Sequence, residues 1–406
     1  MKSEKFFHSS TAIVTLLAAC FVVLISLGVR QTFGLFFIDF NESLNISNTA
    51  FGFAIGTQML MWGLTGPIFG AIADRYGGHI AIISAFIFYT LGVYFLYSGP
   101  NTGVFFQIHM GLLIGIGLGG TAISIPMSIV GKHFPLSTRT IAMSIVTAVG
   151  SFGYFISPIF TNYSLIEYGW SYTLFIFALF LLTGLVAAFF VRSPKANETR
   201  ENKSNQSFGE ALSEAFKTKS YVLLVSGFFV CGFHITLVGT HVPKYVIDRG
   251  LENWTAAAIL SLIGLFNIFG SLLSGYLSTK ISKKIILSAI YLLRGFSIVF
   301  FIFMPASVFS AFIFGASFGF LWLSTVPATS GIVAHLFGTK YLGLLYGIVF
   351  LSHQIGSFFG AYLGGLFHDL YGSYDYAWYL AILLSIFAAI IHLPIVEKPV
   401  ERLQKI

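Results

Sequence analysis

Apolar residues in this chain run in long stretches that polar residues interrupt only briefly. Each stretch is close to the roughly 20 residues that a helix needs to cross a bilayer core. The pattern predicts spans at 11–38, 49–73, 79–98, 104–130, 139–163, 171–192, 220–246, 254–277, 284–303, 309–334, 340–366 and 375–396. The first run is too long for a signal-peptide core, and no small-residue cleavage site follows it. It therefore reads as a retained span. The longest polar segment, 193–219, is too short for a nucleotide-binding domain. The expected fold is an all-α membrane protein of twelve transmembrane helices. Two six-helix halves, 1–192 and 220–406, flank a central cytoplasmic loop, 193–219.

Internal repetition supports two halves. The turn Gly70-Ala-Ile-Ala-Asp74-Arg75-Tyr-Gly77-Gly78-His79 returns in degraded form as Gly275-Tyr-Leu-Ser-Thr279-Lys280-Ile-Ser282-Lys283-Lys284, 205 residues later. Gly150-Ser151-Phe152 returns as Gly356-Ser357-Phe358 at an offset of 206. Duplication within a very apolar chain is a mark of secondary transporters.

Composition narrows the picture. Only 9% of the 406 residues are charged and 56% are hydrophobic, which leaves too little charge to cover a soluble protein. Cys20 and Cys231 both lie in apolar runs and read as small core residues without a disulfide. The net charge of +7 does not point to nucleic acid, because the basic residues are scattered over short loops. Of 22 Lys and Arg, Arg30 and Arg294 fall within spans and Lys244 and Arg249 on one side. The other 18 share the opposite side with both termini. The positive-inside rule places that side, and both termini, in the cytoplasm of a multi-pass protein of the cell inner membrane.

Several buried polar residues are candidates for a substrate site. Arg30 sits about eight residues before the end of its span, near 12 Å deep at about 1.5 Å per residue. Arg294 sits ten residues past Lys284 and can serve either a structural role on backbone carbonyls or substrate contact. No acid falls inside a span, so two buried cations leave a deficit of negative charge that an anionic substrate would fill. His234 and His241, seven apart, share one helix face and are the candidates to carry a coupled proton. Among the buried amides, Gln58 and Asn267 are the ones read as orienting substrate oxygens. No cofactor or metal site is expected: no Cys or carboxylate joins the histidines, and Gly115-Ile-Gly117-Leu-Gly119-Gly120 lacks the Lys-Ser/Thr of a phosphate loop.

The turn at Gly70–His79 resembles the signature loop of the major facilitator superfamily, Gly-x-x-x-Asp-Arg-x-Gly-Arg-Lys. Gly70, Asp74, Arg75 and Gly77 match, while Gly78 and His79 replace the basic pair. The segments around Gly28–Phe37, Gln58–Gly63, Thr240–Tyr245 and Phe350–Ser357, the last containing His353, are similar to the monocarboxylate-porter-like and oxalate/formate-exchanger-like branch. The resemblance implies alternating access about a central site, a first helix that lines the cavity, and a gating role for Asp74 and Arg75. It aligns Gln31 with the first-helix lysine of animal monocarboxylate porters. It also aligns Asn267 and Ser271 with their Asp…Arg pair, so this chain departs from their charged site. The expected activity is secondary transport of a small organic anion, a monocarboxylate or short dicarboxylate, by a monomer working as a symporter or antiporter. The alternatives are an exporter of another small molecule, such as a drug or neutral metabolite, or a transport-like receptor. A membrane enzyme would need paired acids or a metal cluster within the membrane, and the sequence offers neither.

Overall fold

The computed structural model describes residues 10–192, 206–338 and 340–404, and every regular element in them is helical. The chain divides into two compact units, Met1–Glu198 and Thr199–Ile406. In the first unit the membrane-length elements are α1 (Ser10–Leu44), α2 (Asn48–Tyr76), α3 (Gly78–Ser98), α4 (Val104–His133), α5 (136–168) and α6 (170–188). In the second they are α7 (Lys219–Asp248), α8 (Asn253–Leu277), α9 (Lys283–Phe303), α10 (Val308–Phe337), α11 (Leu342–Tyr371) and α12 (Asp375–His392). The described residues thus hold twelve membrane-length elements.

Four predicted boundaries change. α1 extends to Leu44, with a 3-10 turn at Phe33–Phe36 after Arg30 and Gln31. The predicted gap at 164–170 closes to one residue: Gly169, at φ 75°, turns the chain sharply between α5 and α6. α10 is broken between Leu321 and Thr325, and α4 between Thr121 and Ser124. The segment read as a central loop holds a helix at Phe208–Lys217, started by a capping box of Ser207 and Glu210. Residues 193–205 of that segment lie outside the described residues.

Small residues set the helix spacing. A Cβ at Gly153 would meet the Leu24 carbonyl oxygen at 2.6 Å, so α5 lies directly on the α1 backbone. In the second unit Gly356 presses on the Phe229 carbonyl of α7 in the same way. The repeated triplet therefore has a packing role. Gly150 faces Val23 of α1, Gly356 faces α7, and each glycine lets one helix approach another where lipid gives little drive to associate.

The two signature turns are closed differently. In the first, Gly77 adopts φ 104° and ends α2, and its N–H donates to the Ala73 carbonyl. In the second, the position equivalent to Asp74 is Thr279, and the acid comes from beyond α12. Glu397 Oε1 accepts from the Ser282 hydroxyl at 2.6 Å and from the Lys284 backbone N–H at 2.8 Å, and Lys283 Nζ stands 3.9 Å from Oε2. Glu397 thereby caps the N-terminus of α9, where a negative charge also meets the favourable end of the helix dipole. Its side chain is only 18% exposed. Burial alone would raise its pKa, but the bonds from Lys284 and Ser282 and the charge of Lys283 bring it below the ordinary glutamate value.

A depressed carboxyl stabilises the fold above the unfolded pKa and loses that contribution as pH falls through the folded one. Glu397→Gln should therefore lower stability by about 1.5–3 kcal/mol at neutral pH. The difference from the parent should close as the pH drops from about 7 to below about 4. Melting of both proteins in detergent across that range checks this, and a gap that is constant in pH contradicts it.

Candidate functional site

In the first unit the site builds around the end of the regular part of α1. Thr32 returns its hydroxyl and N–H to the Val29 carbonyl at 2.9 and 3.2 Å and tightens the helix into the 3-10 turn. Arg30, just before this turn, is 8% exposed. Its guanidinium reaches Gln31 Oε1 at 3.4 Å, a long contact, and the Met59 thioether sulfur, a weak acceptor, at 3.1 Å. The phenols of Tyr89 and Tyr154 lie within electrostatic reach, and Tyr89 donates to the Ser26 carbonyl at 3.0 Å. No Asp or Glu is buried among the described residues, so no side-chain anion answers the Arg30 charge. Gln31 is also buried, and its amide Nε2 has no hydrogen-bond partner among the described residues.

Gln58 donates to the Met110 carbonyl at 3.0 Å and so bridges α2 to α4, with its Oε1 unpartnered among the described residues. At the far end of α2, Asp74 forms an ion pair with Lys132 in the last turn of α4, at 2.7 Å. Arg75 lies over the ring of its neighbour Tyr76. The resemblance implied a gating role for Asp74 and Arg75 but did not point to Lys132. The helix ends joined in this structure are those of α2 and α4.

In the second unit, polar residues collect where α10 breaks. Arg294 of α9 is fully buried. It donates to the Leu321 carbonyl through Nε at 3.2 Å and Nη2 at 2.7 Å, and to the Trp322 carbonyl at 2.5 Å. The faces of Tyr291 and Phe318 lie 5.4 and 6.0 Å from its Cζ. Of the two roles left open for Arg294, these carbonyl bonds match the structural one. Asn267 of α8 accepts from the Leu323 N–H at 3.0 Å, so its oxygen braces the same break. Cys231 Sγ lies 3.2 Å from the Thr325 hydroxyl, with His353 and Arg294 close enough to act on it.

The remaining histidines are packed. His234 Nε2 pairs with the Ala381 carbonyl of α12 at 2.8 Å, and His241 Nε2 with the Ala361 carbonyl of α11 at 2.7 Å. His353 stacks on Phe350 and holds Gln354 Oε1 through Nδ1 at 3.1 Å. The structure thus gathers Arg30, Gln31 and Gln58 in the first unit. In the second, Arg294, Asn267 and His353 meet around the α10 break, while His234 and His241 bond to neighbouring helices.

Sequence reading missed Tyr89, Tyr154, Tyr291, Cys231 and the break itself. One signal marks both breaks. Ser124-Ile-Pro126 and Thr325-Val-Pro327 each place a hydroxyl residue and a proline in the first turn of a new helix, 201 positions apart.

Membrane-length helices in two units, interrupted at corresponding positions beside buried polar groups, define the build of a secondary transporter. A sequence profile of the Major Facilitator Superfamily matches residues 19–327, and the chain belongs to that superfamily. It is therefore a membrane transporter and not an enzyme. It is 22% identical over 357 residues to the uncharacterised MFS-type transporter YcxA of Bacillus subtilis, covering 85% of each chain. It is 23% identical to monocarboxylate transporter 13 of Rattus norvegicus, covering 91% of this chain and 85% of the other. In fold it matches the crystal structure of a bacterial homologue of the human lysosomal transporter Spinster. The TM-score is 0.74 with 14% identity, over 95% of this chain and 96% of that one.

The side chains of Asp74 and Lys132 are 72% and 44% exposed, so their ion pair contributes at most about 1 kcal/mol to stability. Asp74→Asn should leave the melting temperature and substrate affinity nearly unchanged while slowing exchange. Counterflow rates measured beside equilibrium binding check this. A large loss of binding with normal exchange contradicts a gating role.

Proposed function

We propose that this chain is a secondary transporter that moves a small organic anion, a monocarboxylate or short dicarboxylate, by alternating access. Arg30 carries the reading. It is a buried permanent cation whose partners are an amide oxygen and a thioether, beside a glutamine amide that lacks an acceptor. Leaving such a charge without a good acceptor is costly in a low-dielectric setting, and a carboxylate would accept from the planar guanidinium through two parallel bonds. The similarity to a protein named as a monocarboxylate transporter supports the same class of substrate. In this reading the protein works as a monomer in the cytoplasmic membrane, with both termini in the cytoplasm and Asp74 and Lys132 in the gate. His234 and His241 act as packing residues, because each is held by a backbone carbonyl.

Counterflow in proteoliposomes with a panel of labelled carboxylates tests the proposal. One charged hydrogen bond is worth about 1.5–3 kcal/mol, or roughly 10- to 150-fold in affinity. Arg30→Gln should weaken binding of the transported anion by a factor in that range. Arg30→Lys should weaken it less, because it keeps the charge but loses the fork. A substrate that proves to be cationic, or an Arg30→Gln protein that binds the anion as tightly as the parent, overturns the reading.

A further inference from the structure

The helix at Phe208–Lys217 buries the wrong residues for an element held only by its own unit. Ala211 and Ala215 are buried, while its two largest apolar side chains, Phe208 and Phe216, are 58% and 52% exposed. Leu212 between them is half-buried. A phenylalanine removes far more apolar area from water than an alanine, so packing against protein alone would turn the rings inward.

A helical wheel separates three faces. At about 100° per residue, Phe208, Leu212 and Phe216 form one apolar stripe, each four residues from the next. Ala211, Glu214 and Ala215 form a flank to one side of it. Glu214 Oε2 accepts from Gln206 Nε2 at 2.9 Å and from Arg402 Nη2 at 3.4 Å, and Arg402 also donates to the Phe337 carbonyl at the end of α10. The Gln206 carbonyl accepts from Lys340 Nζ at 2.9 Å and from the Tyr341 hydroxyl at 2.8 Å. That flank is therefore fixed to the rest of the unit. Gly209, Glu210, Ser213 and Lys217 fill the third face, and all four are exposed. One face thus meets protein, one is polar, and one is apolar and largely open.

The chain itself brings a bilayer to the open stripe. Only Thr218 separates this helix from α7, whose membrane-length run starts at Lys219. Thr218 is extended, and its hydroxyl returns to the Glu214 carbonyl at 2.8 Å and its N–H to the Ala215 carbonyl at 3.0 Å, which fixes the bend. The Phe216 ring meets Tyr221 in the first turn of α7 edge-on, with centroids 5.8 Å apart. Val222 beside it is also exposed, so open apolar surface continues from the helix onto the span. Lys217 and Lys219 are exposed at the bend, where their charged ends can reach the headgroup layer.

We propose that the Phe208–Lys217 helix lies on the bilayer surface, with Phe208, Leu212 and Phe216 seated at the boundary between headgroups and acyl chains. Its partner is the lipid of the leaflet at which α7 starts, not a second protein surface. This goes beyond the transport reading and does not depend on Arg30.

Nitroxide labels on single cysteines test it in the full-length protein, reconstituted in phosphatidylcholine vesicles. The parent, whose Cys20 and Cys231 are buried, sets the labelling background. Each label is exposed to molecular oxygen, which concentrates in lipid, and to a nickel chelate, which stays in water. Phe208→Cys, Leu212→Cys and Phe216→Cys should give a ratio of oxygen to chelate collisions severalfold above that of Ser213→Cys and Lys217→Cys. Phe216→Cys also loses the contact with Tyr221, so Phe208→Cys serves as the independent position. A stripe that meets the chelate as freely as positions 213 and 217 lies in water, and one that meets neither agent is covered by protein. Either result overturns the proposal.

Discussion

A helix that breaks inside a bilayer must have its broken ends answered by protein, because lipid offers no hydrogen bonds. The second unit is organised by that constraint. Three of its helices converge on the gap between Leu321 and Thr325: α9 sends Arg294, α8 sends Asn267 and Ser274, and α7 sends Cys231. Arg249 does a similar job at the other end of α9, donating to the carbonyls of Phe301, Ile302 and Met304. Arginine suits this work because its planar donors reach two successive carbonyls at once. A cation that looks like a ligand site in sequence can therefore be a helix cap.

The two units solve related problems with different residues. Both break the fourth helix of the set after a small or apolar run and restart it on a hydroxyl residue followed by proline. In the first unit, however, the Thr121 hydroxyl contacts Ser26 of α1 at 2.7 Å, and among the described residues no arginine bonds to that break. The buried cation of that unit lies instead on α1, at Arg30, with weak partners. The first unit thus holds its arginine loosely and the second holds its arginine firmly. The proposed transport role follows from that difference.

Most of the architecture was legible because membrane spans depend on length and hydropathy, which a single sequence displays directly. The glycine at position 77 and the acid at position 74 were legible because a charged turn between apolar runs stands out. Other features depend on contacts between distant positions. Lys132 meets Asp74 across 58 residues, and Glu397 meets Lys284 across 113. Nothing in either local pattern points to such a partner. The α10 break was hidden because Phe320–Val326 is apolar enough to read as continuous helix, and hydropathy does not register where backbone bonds stop. Tyr89 and Tyr154 were passed over for a related reason, since aromatic residues are so common here that a phenol beside a buried cation carries no sequence mark.

The cap provided by Glu397 also bears on how the protein is made. The start of α9 relies on a carboxylate encoded more than a hundred residues downstream, so a ribosome delivers the helix long before its cap. Until α12 has been inserted, the backbone N–H of Lys284 must be served by water or by some other group at the membrane surface. Closing this turn must therefore wait for α12 and the residues just beyond it. The joint between α8 and α9 would register that the downstream helices have arrived.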